Sequence, residues 1–358
     1  MCGLAAFFKP GATFKPELLD GADADLFHRG PDSGGRVSET GFALVFRRLS
    51  IMDVSDAGDQ PMNDPAGRVS LVFNGEIYNY PELRKELEAK GETFRTGSDT
   101  EAILLGYLNW GEGVLEKLEG MYALALTDRG RGRALVARDP YGIKPLYMRR
   151  LGDMIAFSSE MRVLTRLAPA EPDERALAEL ITFGWAAGDL SNLKDIDRVP
   201  GGTAFSIDLT SGEIKRRRFF DVLNLIGDEE PMDESEALRR ADEAVKESVA
   251  AHLMSDVGYT LELSGGVDSS LIAALAVERT DWRIRSFSVK LRESAFDESE
   301  YRKEVTARYD LDHAEYQLGN TEFADAFEKA VWHMEGPVAH MGCGMIMMLC
   351  EKIRAASK

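Results

Sequence analysis

Residues 259–270, YTLELSGGVDSS, decide the fold of the second half of the chain. An apolar run typical of a strand, Tyr259–Leu263, leads into the turn Gly265-Gly266, and an apolar helical pattern follows over Ser269–Val277. The helix dipole and the backbone N–H groups at such a turn point at an anion. The turn lacks the Gly-Lys-Ser/Thr of a Walker loop and is not a G-x-G-x-x-G dinucleotide motif. A plain glycine-rich turn is the alternative.

Strand and helix patterns alternate around this turn. A helical pattern with one apolar face precedes it, formed by Leu238, Ala241, Val245, Val249 and Leu253. Strands are predicted at Ile284–Val289 and Ala314–Leu318, and helices near 299–307 and 322–334. Strict alternation predicts an α/β domain with a doubly wound parallel sheet over residues 233–358.

The first half of the chain has an α+β pattern. Strands are predicted at Leu44–Phe46, Val69–Phe73, Tyr122–Leu126 and Ala134–Ala137, and helices at 80–90 and 98–108. Ser98 is predicted to cap the second helix, with Glu101 three residues later. We place this domain at residues 1–205 and a turn-rich, charged linker with a hairpin signal at 210–212 over residues 206–232.

Composition excludes several classes of protein. A length of 358 residues fits two domains, and a net charge of −18 disfavours a nucleic-acid partner. The basic run 215–218 is expected to be a solvated edge. Three cysteines without a C-x-x-C pair indicate a reducing compartment, so we expect a cytoplasmic protein. The N-terminus does not resemble a secretion signal, and the apolar run 341–350 is about half the length that a bilayer requires, so no membrane partner is expected.

Cys2 is the candidate nucleophile of the first domain. Removal of Met1 would give Cys2 a free α-amine, with a reference pKa of about 7.7–8.0, next to its thiol. Gly3 would leave room around the thiol. An inert core thiol is the alternative.

Residues 73–76, Phe-Asn-Gly-Glu, follow a predicted strand and offer oxyanion donors, because the Asn74 amide and the Gly75 N–H could point at one oxygen. Glu76 and Asp99 could hold an ammonium group, and Arg48 could hold a carboxylate bidentately. These charges fit an α-amino acid, and the amide chemistry suggests glutamine. The alternatives are an ordinary Asn-Gly turn, a surface ion pair of Arg48 and a helix cap at residues 98–99.

Six segments together resemble the glutaminase domain of class II, N-terminal-nucleophile glutamine amidotransferases: residues 1–3 (MCG), 28–32 (HRGPD), 48–53 (RLSIMD), 74–79 (NGEIYN), 97–99 (GSD) and 138–147 (RDPYGIKPLY). The resemblance implies a layered αββα sandwich, a glutamyl thioester on Cys2 and an oxyanion hole formed by Asn74 and Gly75. The implied glutamine-binding residues are Arg48, Leu49, Ser50, Ile51, Met52, Asn74, Gly75, Glu76 and Asp99.

The turn at 263–270 resembles the pyrophosphate loop of ATP pyrophosphatases, and residues 252–257 (HLMSDV) resemble asparagine synthetase. The resemblance implies ATP as a substrate, Mg²⁺ held by Asp268, and ammonia used to amidate an adenylated carboxylate. Aspartate is the expected acceptor, with a sugar uronate or a peptide carboxylate as alternatives, and a homodimer is left open. The implied ATP-binding residues are Leu263, Ser264, Gly265, Gly266, Asp268, Ser269, Ser270 and Val289.

The sequence departs from this family near its end. The family has a second loop of the Ser-Gly-Glu-Gly-x-Asp-Glu type on the next strand, and this sequence stops at Lys358, where that strand would begin. We therefore expect a C-terminally truncated sequence with an incomplete synthetase half. A bare glutaminase or a regulatory binding module is the alternative from another class. A β-lactam-forming relative is disfavoured because such enzymes do not need the Cys2 thiol.

Overall fold

The computed structural model describes residues 1–227, 232–280, 282–291, 298–338, 340 and 342–356. It divides into two compact units, Met1–Glu229 and Glu230–Lys358. Within the described ranges, no helix combines the length and the apolar character needed to cross a membrane.

Two six-stranded antiparallel sheets form the first unit. The first has the spatial order β10 (Ile196–Arg198), β8 (Tyr147–Leu151), β9 (Met154–Ser158), β1 (Gly3–Phe8), β3 (Phe42–Arg48) and β2 (Ser33–Glu39). The second has the order β12 (Ile214–Arg218), β11 (Thr203–Asp208), β7 (Arg133–Arg138), β6 (Gly120–Asp128), β5 (Val69–Ile77) and β4 (Met62–Asn63). The helices are α1 (Pro16–Leu26), α2 (Tyr80–Ala89), α3 (Asp99–Trp110), α4 (Met161–Thr165) and α5 (Glu174–Phe183).

Strand β1 contributes side chains to the core between the two sheets and to the core between the first sheet and its helices. Its successive side chains point to opposite faces of the sheet. Leu4, Ala6 and Phe8 pack into a core with residues of β5, β6, β7 and β11 from the second sheet, whereas Ala5 and Phe7 pack against α1 and α4. Helix α3 packs on the other side, against β4 and β5. This arrangement confirms the predicted αββα sandwich.

Helix α3 begins as predicted, with one difference in its cap. The Ser98 hydroxyl accepts the N–H of Thr100 at 3.2 Å. Glu101 does not complete a capping box, because its buried carboxylate accepts the N–H groups of Arg95 and Thr96 at 3.0 and 2.7 Å instead. Glu101 therefore holds the loop before the helix.

Part of the expected linker is sheet. Residues 203–218 form the hairpin of β11 and β12, and β11 pairs with β7 inside the second sheet. Side chains of β11 such as Phe205 are buried there, which outweighs the turn and charge signals nearby. The basic run lies on the edge strand β12, where Arg216 and Arg217 pair with Asp189 and Glu116. Charged residues on an edge oppose pairing with other chains.

The second unit is a parallel sheet with helices on both faces. Strands β13 (Thr260–Glu262), β14 (Arg285–Leu291) and β15 (Asp312–Leu318) pair in that order. The helices are α6 (Glu234–His252), α7 (Val267–Val277), α8 (Ser299–Arg308), α9 (Asn320–Met334) and α10 (Gly342–Ala356). Met341, the first residue of the apolar run 341–350, lies outside the described residues, as do residues 228–231 of the expected linker.

Two hydrophobic clusters cover this sheet. One joins Leu261 to α6, α7 and α8, and the other joins Val289 to α9 and α10. Leu261 lies opposite Ser286 in the register, so Leu261 and Val289 face opposite sides of the sheet. The doubly wound α/β class is confirmed. The predicted apolar face of α6 is buried only in part, since Leu238 is 64% exposed.

Candidate functional site

One pocket of the first unit collects most of the predicted glutaminase residues. Its lining contains Cys2, Arg48, Leu49, Ile51, Met52, Asn74, Gly75, Glu76 and Asp99. Ser50 is not part of the lining, and its N–H binds the Asp32 carboxylate at 2.8 Å. The lining also contains residues for which no role in glutamine binding is predicted from the sequence: Met1, Gly58, Gln60, Phe73, Ser98, Thr100 and Lys144.

The Cys2 thiol lies against the loop that follows β3. Its Sγ is 3.4 Å from the Leu49 N and 3.6 Å from the Leu49 carbonyl oxygen. Burial raises the pKa of the thiol, whereas the Leu49 N–H, the nearby α-amine, Arg48 and Lys144 oppose that shift. The thiol therefore needs a base to give up its proton near neutral pH.

The α-amine of Met1 lies in the same surroundings. Burial lowers its pKa to about 6, with Arg29 and Lys144 acting in the same direction and the Cys2 thiol in the opposite one. An amine held here is mainly neutral at pH 7 and can accept a proton. The Cys2 backbone is fixed by Arg29, whose Nε donates to the Cys2 carbonyl oxygen at 2.9 Å.

The outer edge of β5 aims backbone N–H groups at the pocket. Tyr122 on β6 lies opposite Gly75 on β5. The Tyr122 N–H and carbonyl both form hydrogen bonds with Asp139, on the other side of β6. Tyr122 and Gly75 are therefore a non-hydrogen-bonded pair, and the Gly75 N–H points away from β6. The N–H groups of Phe73 and Ile77 share this direction. The first donates to Gln60 Oε1 at 2.6 Å, and the second to Asp99 Oδ2 at 3.0 Å.

Asn74 and Gly75 have the properties of an oxyanion hole. Asn74 is 1% exposed, and its Nδ2 is buried without a hydrogen-bond partner. Such an orphan donor is costly unless a ligand satisfies it. At Gly75 a Cβ would lie 2.2 Å from the Met121 carbonyl oxygen, so only glycine fits beside β6. The amide and the Gly75 N–H can therefore serve one oxygen.

Asp99 and Glu76 supply the negative charge. Asp99 is 4% exposed. Burial raises its pKa to about 7, the N–H of Ile77 opposes the shift, and the Glu76 carboxylate reinforces it. A cation placed between these two carboxyl groups would stabilise both in their ionised form.

Arg48 differs from its predicted arrangement. Its side chain lines the pocket, but its guanidinium holds the loop after β3 by donating to Ser55 O, Asp59 Oδ1, Met52 O and Asp53 O. A bidentate pair between Arg48 and a carboxylate would need a rearrangement of these hydrogen bonds. The sequence could not show this, because the competing acceptors are mostly backbone carbonyls.

The predicted ATP loop lies at the N-terminus of α7. Gly265 has a φ of +97° and a Cβ there would lie 2.8 Å from the Glu298 carbonyl oxygen, so this position requires glycine. The Ser264 Oγ accepts the Gly266 N–H at 3.1 Å and lies 2.9 Å from the Ser269 Oγ. These contacts shape a cradle of hydroxyl and N–H groups at a helix N-terminus, as anion sites require.

Two of the predicted ATP-binding residues have apolar side chains that contribute to the core. Leu263 is 1% exposed and belongs to the core with α7, and Val289 is partly buried in the cluster that contains Leu318. No role is predicted from the sequence for Arg302, which is 6% exposed. Its guanidinium donates to the Ser264 carbonyl oxygen at 2.7 Å and to the Glu315 carboxylate at 2.5 Å, and it thereby ties the loop to β15.

Among the described residues, Asp268 and Glu298 both bring a carboxylate to this loop. Asp268 is exposed in the first turn of α7, and Glu298 Oε1 lies 3.8 Å from the position that a Cβ on Gly266 would take. In the part of the chain that the structure describes, no three His, Cys, Asp or Glu side chains are grouped for metal binding. Because Mg²⁺ at phosphate sites uses one or two carboxylates plus substrate phosphates, Asp268 fits that role.

Comparisons with known proteins agree with both units. A family model described as a glutamine amidotransferase domain matches residues 1–220, and one described as asparagine synthase matches residues 240–358. Asparagine synthetase [glutamine-hydrolyzing] 1 of Bacillus subtilis is 34% identical over 95% of this chain and 54% of its own length. A putative asparagine synthetase [glutamine-hydrolyzing] of Mycobacterium bovis is also 34% identical, over 95% of this chain and 55% of its own length.

A solved structure is also similar: glutamine phosphoribosylpyrophosphate amidotransferase from B. subtilis, at 15% identity and a TM-score of 0.46, with 89% of this chain and 81% of that one covered. The two family models define a glutamine amidotransferase domain followed by an asparagine synthase region. The chain belongs to the glutamine amidotransferase domain family, and over 95% of its length it is similar to glutamine-hydrolysing asparagine synthetases. It spans about half the length of the curated relatives it matches.

Proposed function

We propose that the protein is a glutamine-dependent amidotransferase in which Cys2 releases ammonia from glutamine and the second unit supports its transfer to an ATP-activated carboxylate. The observation that carries the proposal is the pocket that unites the Cys2 thiol, the unpartnered Asn74 amide and the acidic pair Glu76 and Asp99. A thiol, an oxyanion donor and an ammonium site within one pocket match the three reacting or charged parts of glutamine.

The first step forms a thioester. After removal of Met1, the α-amine of Cys2 takes the thiol proton, and Sγ attacks the carboxamide carbon of glutamine. Asn74 Nδ2 and the Gly75 N–H donate to the oxygen that gains negative charge. The amine returns its proton to the leaving nitrogen, so ammonia departs. Water then hydrolyses the thioester to glutamate and regenerates the thiol.

Glutamine is oriented by its charges. Glu76 and Asp99 would hold its ammonium group, and Arg48 with the backbone of residues 49–52 would face its carboxylate. Since Arg48 donates to the 52–59 loop in the free protein, we infer that its carboxylate role requires this loop to adjust when glutamine binds. Gln60 keeps β5 in place, because its Nε2 also donates to the Thr100 hydroxyl at 3.1 Å.

In the second unit we propose ATP as the activating substrate. The cradle at residues 264–270 would receive the pyrophosphate, and Asp268 would hold Mg²⁺, which would neutralise phosphate charge. Aspartate is the proposed acceptor, a uronate or peptide carboxylate the alternative. The cytoplasmic location, the bounds of the domains and the formation of a homodimer remain predictions from the sequence.

The glutaminase half is tested with a glutamine affinity label, 6-diazo-5-oxo-L-norleucine. We expect the label on Cys2 alone, a protein mass lower by one methionine, and no glutaminase activity in Cys2→Ala. Cys343→Ala is the matched control, since this partly buried thiol belongs to the second unit, and it should keep wild-type activity. Labelling of another residue, or an active Cys2→Ala variant, would rule out the assignment.

The synthetase half is tested by ATP–pyrophosphate exchange with aspartate, a uronate and a peptide carboxylate in turn. Where exchange with aspartate is measured, we expect Asp268→Asn to abolish it, while glutaminase activity stays unchanged. Exchange with a uronate but not with aspartate would move the acceptor to a sugar acid. Exchange that survives Asp268→Asn would remove Asp268 from the site.

A further inference from the structure

Lys144 is a buried cation in the glutamine pocket. It lines the pocket together with Cys2 and Glu76, and only 6% of its surface is exposed. Among the described residues its Nζ forms no hydrogen bond and no ion pair within 4 Å, although buried ammonium groups are costly when they lack such partners. A group of this kind indicates a function at its site.

The local fold is built to place this residue. The Asp139 carboxylate, which is fully buried, accepts the N–H groups of Tyr141, Ile143 and Lys144 at 3.1, 2.9 and 2.9 Å. The Arg138 Nε donates to the Lys144 carbonyl oxygen at 2.6 Å. Both the N–H and the carbonyl of Lys144 are thus fixed, and the side chain starts from a rigid turn.

The charges around Cys2 single out Lys144. The side-chain cations that act on the thiol are Arg48 and Lys144, whereas the α-amine, with its lowered pKa, is mainly neutral at pH 7. The Arg48 guanidinium donates hydrogen bonds to the loop after β3. The neighbouring Arg29 forms a 2.6 Å ion pair with Glu160. Lys144 therefore keeps a charge that no hydrogen-bonded partner neutralises.

The groups that face Lys144 are also known. Burial lowers its pKa, Glu76, Cys2 and Asp139 act against that shift, and Arg29 acts with it. An ammonium group in this position is stabilised whenever a second negative charge appears next to Glu76. Formation of the thiolate supplies that charge.

We propose that Lys144 is the electrostatic partner of the Cys2 thiolate in the glutaminase reaction. When the thiol proton moves to the α-amine, Lys144 keeps its own proton and stabilises the sulfur anion until the bond from Sγ to the carboxamide carbon forms. The inference rests on the proposed function, since it assigns a role within the same site.

The test is the pH dependence of Cys2 alkylation by iodoacetamide in the absence of glutamine, with the modified residue identified by peptide mass spectrometry. In Lys144→Met the side chain keeps its length and loses its charge, so we expect the alkylation midpoint to move to higher pH and the rate at pH 7 to fall about tenfold. Lys144→Arg should restore most of the rate. Lys117→Met is the matched control, because Lys117 pairs with Glu86 and does not line the pocket.

Each experimental result leads to a different conclusion. An unchanged midpoint in Lys144→Met overturns the inference. If KM for glutamine rises while the midpoint stays, Lys144 acts through Glu76 on substrate binding instead. If iodoacetamide leaves Cys2 unmodified in the wild-type protein and glutaminase activity is absent, the proposed function itself fails. Thermal unfolding of both Lys144 variants separates a loss of folding from a loss of charge.

Discussion

Asp99 should make the recognition of the glutamine ammonium group depend on pH. Its carboxyl group is 4% exposed and accepts the Ile77 N–H at 3.0 Å. Burial raises its pKa to about 7, against the Ile77 hydrogen bond and with the help of Glu76. Acidification from pH 8 to pH 6 therefore converts a carboxylate partner of the ammonium group into a neutral acid.

The magnitude follows from this pKa. A carboxyl group that titrates near pH 7 is about 91% ionised at pH 8 and about 9% ionised at pH 6, so the competent fraction changes about tenfold. The value of kcat/KM reports ionisation in the free enzyme, which is the state the structure describes. The Cys2 thiol and the α-amine titrate as well, and their effects have to be removed.

The assay removes them by comparing two substrates. We expect the ratio of kcat/KM for glutamine to that for 4-carbamoylbutanoate, which is glutamine without its α-amine, to fall about tenfold from pH 8 to pH 6. Groups that act on the thiol affect both substrates equally and cancel in the ratio. In Asp99→Asn the ratio should be low and independent of pH.

A ratio that stays constant in the wild-type protein would refute the reasoning, because the ammonium partner would then be ionised over the whole range. A pH-dependent ratio in Asp99→Asn would assign the titration to Glu76 or another group.

The raised pKa of Asp99 also makes the free energy of unfolding depend on pH. A folded protein that holds this proton more tightly than the unfolded chain loses free energy of unfolding as pH rises from about 4 to about 7, and Asp99→Asn should lose that part of the pH dependence.

Three further substitutions test the framework. Asn74→Ala should lower kcat about 10²- to 10³-fold with little change in KM, and the melting temperature should stay near the wild-type value because Nδ2 has no partner to lose. Gly75→Ala should lower the free energy of unfolding by about 1–3 kcal/mol in a denaturant titration, since its Cβ would meet a backbone oxygen at 2.2 Å. Gly113→Ala, with open space around its Cβ, is the control. Arg302→Met should weaken ATP binding about tenfold in calorimetry by freeing the carbonyl of Ser264, with glutaminase activity unchanged.

The strands and helices could be predicted from the sequence because each depends on residues that are close together along the chain. The apolar run at the start of β5 and the cap at Ser98 depend on residues at most four positions apart. The turn at Gly265 also carries its own signal, a glycine at a positive φ. Where a local rule failed, a nearby competitor decided: Glu101 meets two loop N–H groups, and these outweigh the capping box.

Contacts between distant residues could not be predicted in this way. Gln60 holds the N–H of Phe73, 13 residues away, and Lys144 lines the same pocket as Cys2 although the two are far apart in sequence. Gly3 shows the same limit. We expect it to leave room for the thiol, and a Cβ there would also lie 3.0 Å from the Leu26 side chain, so the packing of α1 favours the glycine as well.

Three residues of the pocket, two of them predicted and one not, share one physical property: each is costly in the free protein. Asn74 buries an amide without a partner, Asp99 buries a carboxyl group beside Glu76, and Lys144 buries a cation that burial disfavours. A carbonyl oxygen gaining charge, an ammonium group and a thiolate would satisfy these three groups in turn. Because all three arise from glutamine and Cys2 in the proposed reaction, one substrate would relieve costs that the fold alone leaves in place.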